Sequence, residues 1–183
     1  MSAASSNYLL TGLTLPDGTV SDIQIVDGVI TALGKSLPKN SDLQTIEFNG
    51  CVALPGLVDL HTHLREPGKE DSETVLSASR AGAKGGFTAL SAMPNTSPVA
   101  DSAGVVEQVF RLGIEAGLCD VFPIGAVTKN LEGRELAEIG AMADSAASVR
   151  VFSDDGHCVS NPAVMRRALE YVKKFSGVIA QHA

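Results

Sequence analysis

The stretch VALPGLVDLHTHLR, residues 52–65, decides how the rest of the chain is interpreted. Its first nine residues are mainly apolar and predict a buried strand. Side chains two apart on a strand point to the same face, so His61 and His63 can present two imidazole nitrogens to one metal ion, with Asp59 one step deeper to orient a ligand. The alternative is a pair of surface histidines in a loop, and the apolar strand before them disfavours it.

Strands and helices alternate from this stretch to the end of the chain. The predicted strands are 52–60, 87–93, 120–127, 149–152 and 178–181, and the predicted helices are 71–84, 101–116, 134–144 and 161–175. The expected caps are Asp71 or Ser72 for the first helix and Asp101 or Ser102 for the second, and Pro162 is expected in the first turn of the last helix. This alternation is typical of βα units on a parallel sheet, in an α/β fold.

Two topologies fit such a sheet, an open doubly wound sheet and a (β/α)8 barrel. A barrel takes about 250 residues, more than follow Cys51, so a barrel here would comprise only about its first five strands. The chain before it has four short predicted strands at 9–15, 21–26, 29–33 and 43–48, with turn signals at Pro16-Asp17-Gly18 and Asp27-Gly28. We therefore expect a small β-rich unit over residues 1–52 and an incomplete α/β domain over residues 53–183.

Composition narrows the classes of function. The net charge is −7 and no run of Lys or Arg stands out, so nucleic acid and anionic membrane surfaces are poor partners, whereas a small anionic substrate is compatible with a local arginine. The three cysteines are far apart, which argues against a disulfide framework and favours a cytoplasmic protein. The N-terminus does not resemble a signal peptide, and no apolar run reaches the roughly 18 residues of a membrane span.

Two motifs make the sequence resemble a known family. GLVDLHTHLREPG, residues 56–68, is similar to the first metal-binding strand of the amidohydrolase superfamily, and its Arg-Glu-Pro-Gly ending resembles the dihydroorotases in particular. AMPNTSPVADS, residues 92–102, resembles them too. The resemblance implies the N-terminal portion of such an enzyme, with a TIM-type barrel preceded by a small β-sandwich segment. It also implies two zinc ions per complete site and the reversible cyclisation of N-carbamoyl-L-aspartate to dihydroorotate in pyrimidine biosynthesis.

The resemblance also implies the metal ligands. His61 and His63 match the first two, and an Asp in Ser153-Asp154-Asp155-Gly156 would bridge the metals. Asp155 is the favoured residue and Asp154 stays open, although this motif alone is more typical of a turn. His182, one helix later, matches the next ligand.

Two further residues would bind the carboxylate of the substrate. Arg65 offers a bidentate guanidinium fork and Asn95 offers amide donors. Without the family, a loop salt bridge and a turn-capping Asn are equally good explanations. The family also requires a His from the sixth strand and a general-base Asp from the eighth, both of which would lie beyond Ala183. We therefore expect no catalytic residue within this chain, and we expect the chain alone to be inactive and either unstable or self-associating.

Two alternatives remain. Another cyclic amidohydrolase, an allantoinase or a hydantoinase, is disfavoured by the Arg-Glu-Pro-Gly segment and by Arg150, which stands where a hydantoinase-like strand would carry a carboxylated Lys. A non-catalytic subunit that scaffolds aspartate transcarbamoylase is disfavoured because all four expected metal ligands are present. A homodimer or an association with aspartate transcarbamoylase is the protein partnership that the resemblance brings into consideration.

Overall fold

The computed structural model describes residues 7–183, which separate into two compact units between Pro55 and Gly56. The first unit contains one four-stranded sheet. Its strands are β1 (Tyr8–Thr14), β2 (Val20–Val26), β3 (Val29–Gly34) and β4 (Gln44–Glu47), in the order β3-β2-β1-β4. The first three strands are antiparallel, and β4 pairs parallel to β1.

The turns of this sheet follow from the local sequence. Asp27 and Gly28 both have positive φ, 50° and 77°, as a two-residue hairpin between β2 and β3 requires, and the predicted hairpin is confirmed. At the turn between β1 and β2, the Asp17 carboxylate accepts a hydrogen bond of 2.8 Å from the backbone N–H of Thr19. That hydrogen bond lowers the pKa of Asp17.

One face of the sheet is apolar. Cross-strand pairing aligns Leu10 with Ile23 and Ile46, and Ile23 with Leu33. Tyr8, Ile25 and Ile30 form a second aligned row. These side chains are half-buried or exposed. Such a face suits packing against a second layer. Residues 7–55 supply only this one sheet, so the second layer of a sandwich stays a prediction.

The second unit alternates strands and helices as predicted. Its strands are β5 (Leu57–Thr62), β6 (Phe87–Ala92), β7 (Asp120–Pro123), β8 (Val151–Phe152) and β9 (Val178–Ile179), and its helices are α1 (Val75–Lys84), α2 (Ala103–Ala116), α3 (Ile139–Asp144) and α4 (Pro162–Val172). Short 3-10 turns occur at Lys129–Leu131 and Lys173–Phe175. The strands β5, β6 and β7 form one parallel sheet in chain order, and β8 and β9 form a parallel pair. A parallel bridge from Gly125 to Phe152 links the two groups, which confirms the α/β fold with a parallel arrangement.

Several boundaries differ from the prediction. The strand expected over 52–60 begins only at Leu57, since Pro55 lacks a backbone donor, and Val52 forms an isolated bridge with Thr14. The third strand stops at Pro123, and the helix expected from 134 begins at Ile139. Residues 124–138 form a long connection instead.

The cap of α1 also differs from the prediction. Helix α1 begins at Val75 and is capped by Thr74, rather than by Asp71 or Ser72. The Thr74 hydroxyl accepts a 3.1 Å hydrogen bond from Ser77 N–H, and the Ser77 hydroxyl accepts a 3.0 Å one from Thr74 N–H. This reciprocal pair is a capping box. Ser102 takes the cap position of α2 as predicted, but its side chain makes no capping hydrogen bond.

Two apolar clusters hold the helices against the strands. One lies around Leu90, Val109 and Val121, and the larger one lies around Val127, Ile139 and Phe152. Helix α2 lies close against β7 because residue 113 is a glycine: a Cβ there would lie 2.5 Å from Cβ of Val121. No helix within residues 7–183 is both long and apolar enough to cross a membrane.

The loops after β5 and β6 are locked together. The backbone N–H of Ser97 donates a 2.9 Å hydrogen bond to the carbonyl of Pro67. Gly68 has a φ of +98°, and a Cβ at that position would lie 2.1 Å from the carbonyl oxygen of Ser97. Glycine is therefore required at residue 68 by both its conformation and its space. This contact fixes the Arg65 segment relative to the Asn95 segment.

Candidate metal centre

Three predicted ligands meet at the carboxyl ends of the parallel strands. His61 and His63 come at and just after the end of β5, and Asp155 follows β8. Nε2 of His61 lies 3.2 Å from Oδ1 of Asp155, and Nε2 of His63 lies 3.6 Å from Oδ2. One ligand atom from each residue falls within 4.8 Å of the others, so the group could hold a metal ion. The carboxyl ends of parallel strands are where α/β enzymes build their sites.

His182 lies near the same carboxylate. It follows β9, and its Nδ1 lies 3.5 Å from Oδ1 of Asp155. The backbone N–H of Gly156 also points at this nitrogen, at 3.3 Å. Oδ1 of Asp155 therefore lies near two imidazoles, from the end of β5 and from the residues after β9, and the Asp155 side chain is buried while the rings of His61 and His182 are open to solvent.

Asn95 connects two members of the cluster. Its amide nitrogen donates a 3.2 Å hydrogen bond to Oδ2 of Asp155, and its amide oxygen lies 3.0 Å from Nδ1 of His63. Because an ionised carboxylate only accepts hydrogen bonds, the amide nitrogen must face Asp155 and the oxygen must face the ring. Nδ1 of His63 is then a donor to the Asn95 oxygen and carries a proton.

This tautomer provides the test of whether a metal fits. With a proton on Nδ1, Nε2 is the ring nitrogen of His63 that can bind a metal, and it lies on the side of the Asp155 carboxylate. The 3.6 Å between Nε2 and Oδ2 of Asp155 is too long for a hydrogen bond. Imidazole nitrogens and a carboxylate are donors suited to a divalent transition metal. The donor set therefore fits a metal cation.

The neighbouring carboxylate of Asp154 points away from the histidines. Its Oδ1 accepts hydrogen bonds of 2.8 and 2.9 Å from the backbone N–H groups of Val127 and Thr128, and its Oδ2 accepts one from the Thr128 hydroxyl. Two adjacent carboxylates thus serve different surroundings. The sequence left open which of the two carboxylates lies near the histidines, and in the structure only Asp155 does.

Arg65 lies in the loop just after β5. Its backbone has a φ of 60°, which is unusual for a residue with a Cβ. Among the residues that the structure describes, the guanidinium forms no ion pair with a carboxylate. The carboxylate of the next residue, Glu66, instead accepts a 2.9 Å hydrogen bond from Val75 N–H at the start of α1. Glu66 thus anchors the loop to α1, and the guanidinium N–H groups of Arg65 remain available to an anion.

Two other predicted residues have local roles. The Asp59 carboxylate accepts a 3.0 Å hydrogen bond from the backbone N–H of His61, rather than from an imidazole ring. The Arg150 guanidinium donates to the carbonyls of Ala143 and Val149, at 2.7 and 2.9 Å. It thereby caps the carboxyl end of α3, where orphan carbonyls and the helix dipole favour a cation. The Arg150 guanidinium is therefore engaged at the end of α3.

The sequence did not predict the contact of Asn95 with His63 and Asp155, nor the partners of Asp154. Asn95 was expected only to bind substrate. The two contacts of Asn95 join residues 32 and 60 positions apart, and those of Asp154 join residues 26 or 27 positions apart. Nothing in the local pattern of either segment signals them.

Comparison with known proteins bears on the family and the fold of the chain. The model of the family described as Dihydro-orotase-like matches residues 50–183. The chain is 61% identical over 180 residues to a protein of Leifsonia xyli subsp. xyli named Dihydroorotase, with 98% of this chain and 41% of that protein covered. It is 60% identical over 178 residues to the Dihydroorotase of Streptomyces coelicolor, covering 97% and 41%. The chain thus spans about two fifths of the length of these relatives.

The fold is found again among solved structures. An L-hydantoinase (dihydropyrimidinase) from Arthrobacter aurescens matches with a TM-score of 0.79 at 22% identity, covering 97% of this chain and 40% of that one. A D-hydantoinase structure matches with a TM-score of 0.67 at 17% identity, covering 94% and 39%. Likeness at this identity concerns the fold alone, whereas the family model covers most of this chain. The chain belongs to the dihydro-orotase-like family.

Proposed function

We propose that this chain is the N-terminal part of a zinc-dependent dihydroorotase, which reversibly cyclises N-carbamoyl-L-aspartate to dihydroorotate with loss of water. The observation that carries the proposal is the convergence of His61, His63 and His182 on one buried carboxylate, Asp155. The identity of about 60% to relatives named Dihydroorotase supports the substrate.

The proposed metal is zinc, with two ions in the complete site. His61 and His63 would hold one ion, His182 would contribute to the other, and Asp155 would bridge them. Its two oxygens lie toward the β5 histidines, and one of them lies toward His182 as well, which supports a bridging role. Bound zinc supplies a Lewis acid that polarises the ring amide carbonyl and makes water more acidic.

The residues around the metal group have roles of their own. Asn95 holds the proton on Nδ1 of His63 and so keeps Nε2 available as a donor atom. Arg65 would bind the carboxylate of the substrate through its guanidinium fork. Asn95 would join it with its second N–H, since its first donates to Asp155. Held in this way, the carboxylate end of the substrate leaves the amide facing the histidines.

The same proposal covers the architecture. The five parallel strands of the second unit would be the first five of a (β/α)8 barrel, and the sheet of the first unit would be part of a small β-sandwich. The general acid/base Asp would then lie beyond Ala183, and no catalytic residue falls within this chain. A homodimer, an association with aspartate transcarbamoylase and a cytoplasmic location stay predictions from the resemblance.

The test begins with the protein at the length at which its source cells make it. We expect the purified protein to contain zinc by elemental analysis and to hydrolyse dihydroorotate in preference to hydantoin and allantoin. Asp155→Asn should lower both zinc content and turnover, the latter by at least about 100-fold, since removing a ligand charge weakens the bridge. His157→Ala is the matched control, because His157 is exposed in the same loop and lies outside the ligand group.

Different outcomes would contradict different parts of the proposal. Turnover of hydantoin or allantoin in preference to dihydroorotate would replace the substrate and keep the metal centre. A zinc-free protein without turnover would instead support the non-catalytic subunit. Equal losses in Asp155→Asn and His157→Ala would remove Asp155 from the bridging role.

A further inference from the structure

Asp154 is a buried carboxylate that the proposed chemistry does not use. Only 1% of its surface is exposed, and none of the Lys, Arg or His residues between 7 and 183 forms an ion pair with it. A buried, unpaired carboxylate is costly unless hydrogen bonds offset its lost hydration. Three donors do so here, the two backbone N–H groups of Val127 and Thr128 and the Thr128 hydroxyl.

Those donors belong to the long connection after β7. Val127 and Thr128 are completely buried, and the carbonyl of Val127 accepts a 2.9 Å hydrogen bond from Ala137 N–H. The Thr128 hydroxyl also accepts a 2.9 Å hydrogen bond from Gly133 N–H. Asp154 thus fastens the beginning of this connection to the end of β8, and Thr128 extends the network to Gly133.

The backbone around Asp154 is fixed on the β8 side as well. Ser153 N–H donates to the carbonyl of Gly125 at 2.9 Å, and His157 N–H donates to the carbonyl of Asp154 at 2.7 Å. Asp155 lies inside this held segment, and its side chain points the other way, to His61 and His63. Residues 153–157 therefore set the direction of the Asp155 carboxylate. Asp154 is the residue whose side chain holds this segment in place, through its hydrogen bonds to Val127 and Thr128.

We propose that Asp154 is a positioning residue for the metal centre: by anchoring to Val127 and Thr128, it holds the Asp155 carboxylate where it meets the histidines. This inference rests on the proposed function, because it takes Asp155 as a metal ligand. Ligand sets work only when held to within a few tenths of an ångström, so loss of the anchor weakens metal binding without removing a ligand.

The test compares metal affinity with stability in the protein at its source length. Zinc affinity is measured by competition with a chromophoric chelator, and the cobalt-substituted site is followed by its visible absorption, at a temperature at which circular dichroism shows each variant folded. Asp154→Ala should bind zinc at least about 10-fold more weakly than the parent protein and change the cobalt spectrum. Asp154→Asn should lose less, since its amide oxygen still accepts from both N–H groups, and Thr128→Val should fall between them.

Val109→Ala is the control for a purely structural effect. Val109 is buried in the other apolar cluster, so the substitution lowers stability without touching the Asp154 network. We expect it to leave zinc affinity and the cobalt spectrum unchanged. If Asp154→Ala does not fold, Asp154→Asn and Thr128→Val decide the matter in the same assay.

Parent-like zinc affinity in the folded Asp154 and Thr128 variants would overturn the positioning role. An equal loss of affinity in Val109→Ala would overturn it too, because any loss of stability would then suffice. A parent protein that binds neither zinc nor cobalt would refute the metal centre of the proposed function, and the positioning role with it. If the parent protein and the variants all bind zinc equally well, only the positioning role is refuted.

Discussion

Strands β5 and β6 lie side by side and are both rich in apolar residues, yet their surroundings differ. On β6, Leu90 is 4% exposed, whereas on β5, Leu60 is 73% exposed. Strand β6 pairs with β5 on one side and β7 on the other, but β5 pairs only with β6 within the described part of the chain. Asp59 pairs with Leu90, so Leu60 on the next position points to the opposite face of the sheet. Leu90 lies on the face that packs against Val75 and Val109 of α1 and α2, whereas Leu60 lies on the face that these helices do not cover.

The largest expected effect compares one leucine from each strand. Because we expect the 183-residue chain to be unstable or self-associating, it is measured under conditions in which circular dichroism shows it folded and light scattering shows it monomeric. There, Leu90→Ala should lower the free energy of unfolding by about 2–5 kcal/mol, because it opens a cavity among Val109, Val121 and other buried residues. Leu60→Ala should change it by less than about 0.5 kcal/mol, since the side chain is already in water. Urea unfolding followed by circular dichroism measures both.

The same pair in the longer source protein sharpens the comparison. If further residues of that protein pack against the face of β5 that carries Leu60, Leu60→Ala becomes costly and approaches Leu90→Ala. An equally small effect at both lengths would mean that the open side of β5 faces solvent in the whole protein. Equal losses of unfolding free energy for Leu90→Ala and Leu60→Ala in the 183-residue chain would show that the two leucines do not differ in burial.

A smaller effect concerns the well-packed side of the sheet, where α2 lies on β7. Gly113→Ala should lower the free energy of unfolding by about 1–3 kcal/mol, because its Cβ would overlap Val121. Gly104→Ala is the matched control in the same helix, with nothing within 4 Å of its added Cβ. It should raise stability by about 0.4–1 kcal/mol through the unfolded chain. Thermal unfolding measures the stability of both variants. A Gly113→Ala variant more stable than Gly104→Ala would contradict the close packing of α2 on β7.

The smallest effect concerns the N-terminal caps of helices α1 and α2. Thr74→Ala should lower stability by about 1 kcal/mol, because the capping box at α1 disappears. Ser102→Ala at the start of α2 should change stability by less than about 0.5 kcal/mol, since that side chain makes no capping hydrogen bond. Helix α1, on the β5 side, would then depend on its cap more than α2 does. Equal changes in chemical denaturation would remove that distinction.

Local signals were sufficient for the order of elements and for the pairing of His61 with His63. Periodicity predicted the alternating strands and helices, and the spacing of His61 and His63 on a strand predicted that they would share a face. The Asp27-Gly28 hairpin and Pro162 at the start of α4 needed only local backbone preferences. These features depend on residues close together in the chain.

The features that the sequence did not predict depend on distant partners. Residues 124–127 are apolar enough for a strand, but the donors of Val127 and Thr128 are taken by Asp154, and a long connection results. The contact of Arg150 with the carbonyl of Ala143 in α3 was not predicted either, since it joins a strand residue to the preceding helix. The sequence around Asp154 and Asp155 is a single turn-like motif, so only the three-dimensional structure separates their roles.

The close approach of Gly68 to Ser97 has a consequence for how new specificities could arise in this scaffold. The loops after β5 and β6 share one backbone contact that tolerates neither a side chain at residue 68 nor a shift of residue 97. A library that varies the length of one loop alone would break that contact and misplace both Arg65 and Asn95. A library that changes specificity and keeps the fold would therefore have to replace the two loops together or leave both unchanged.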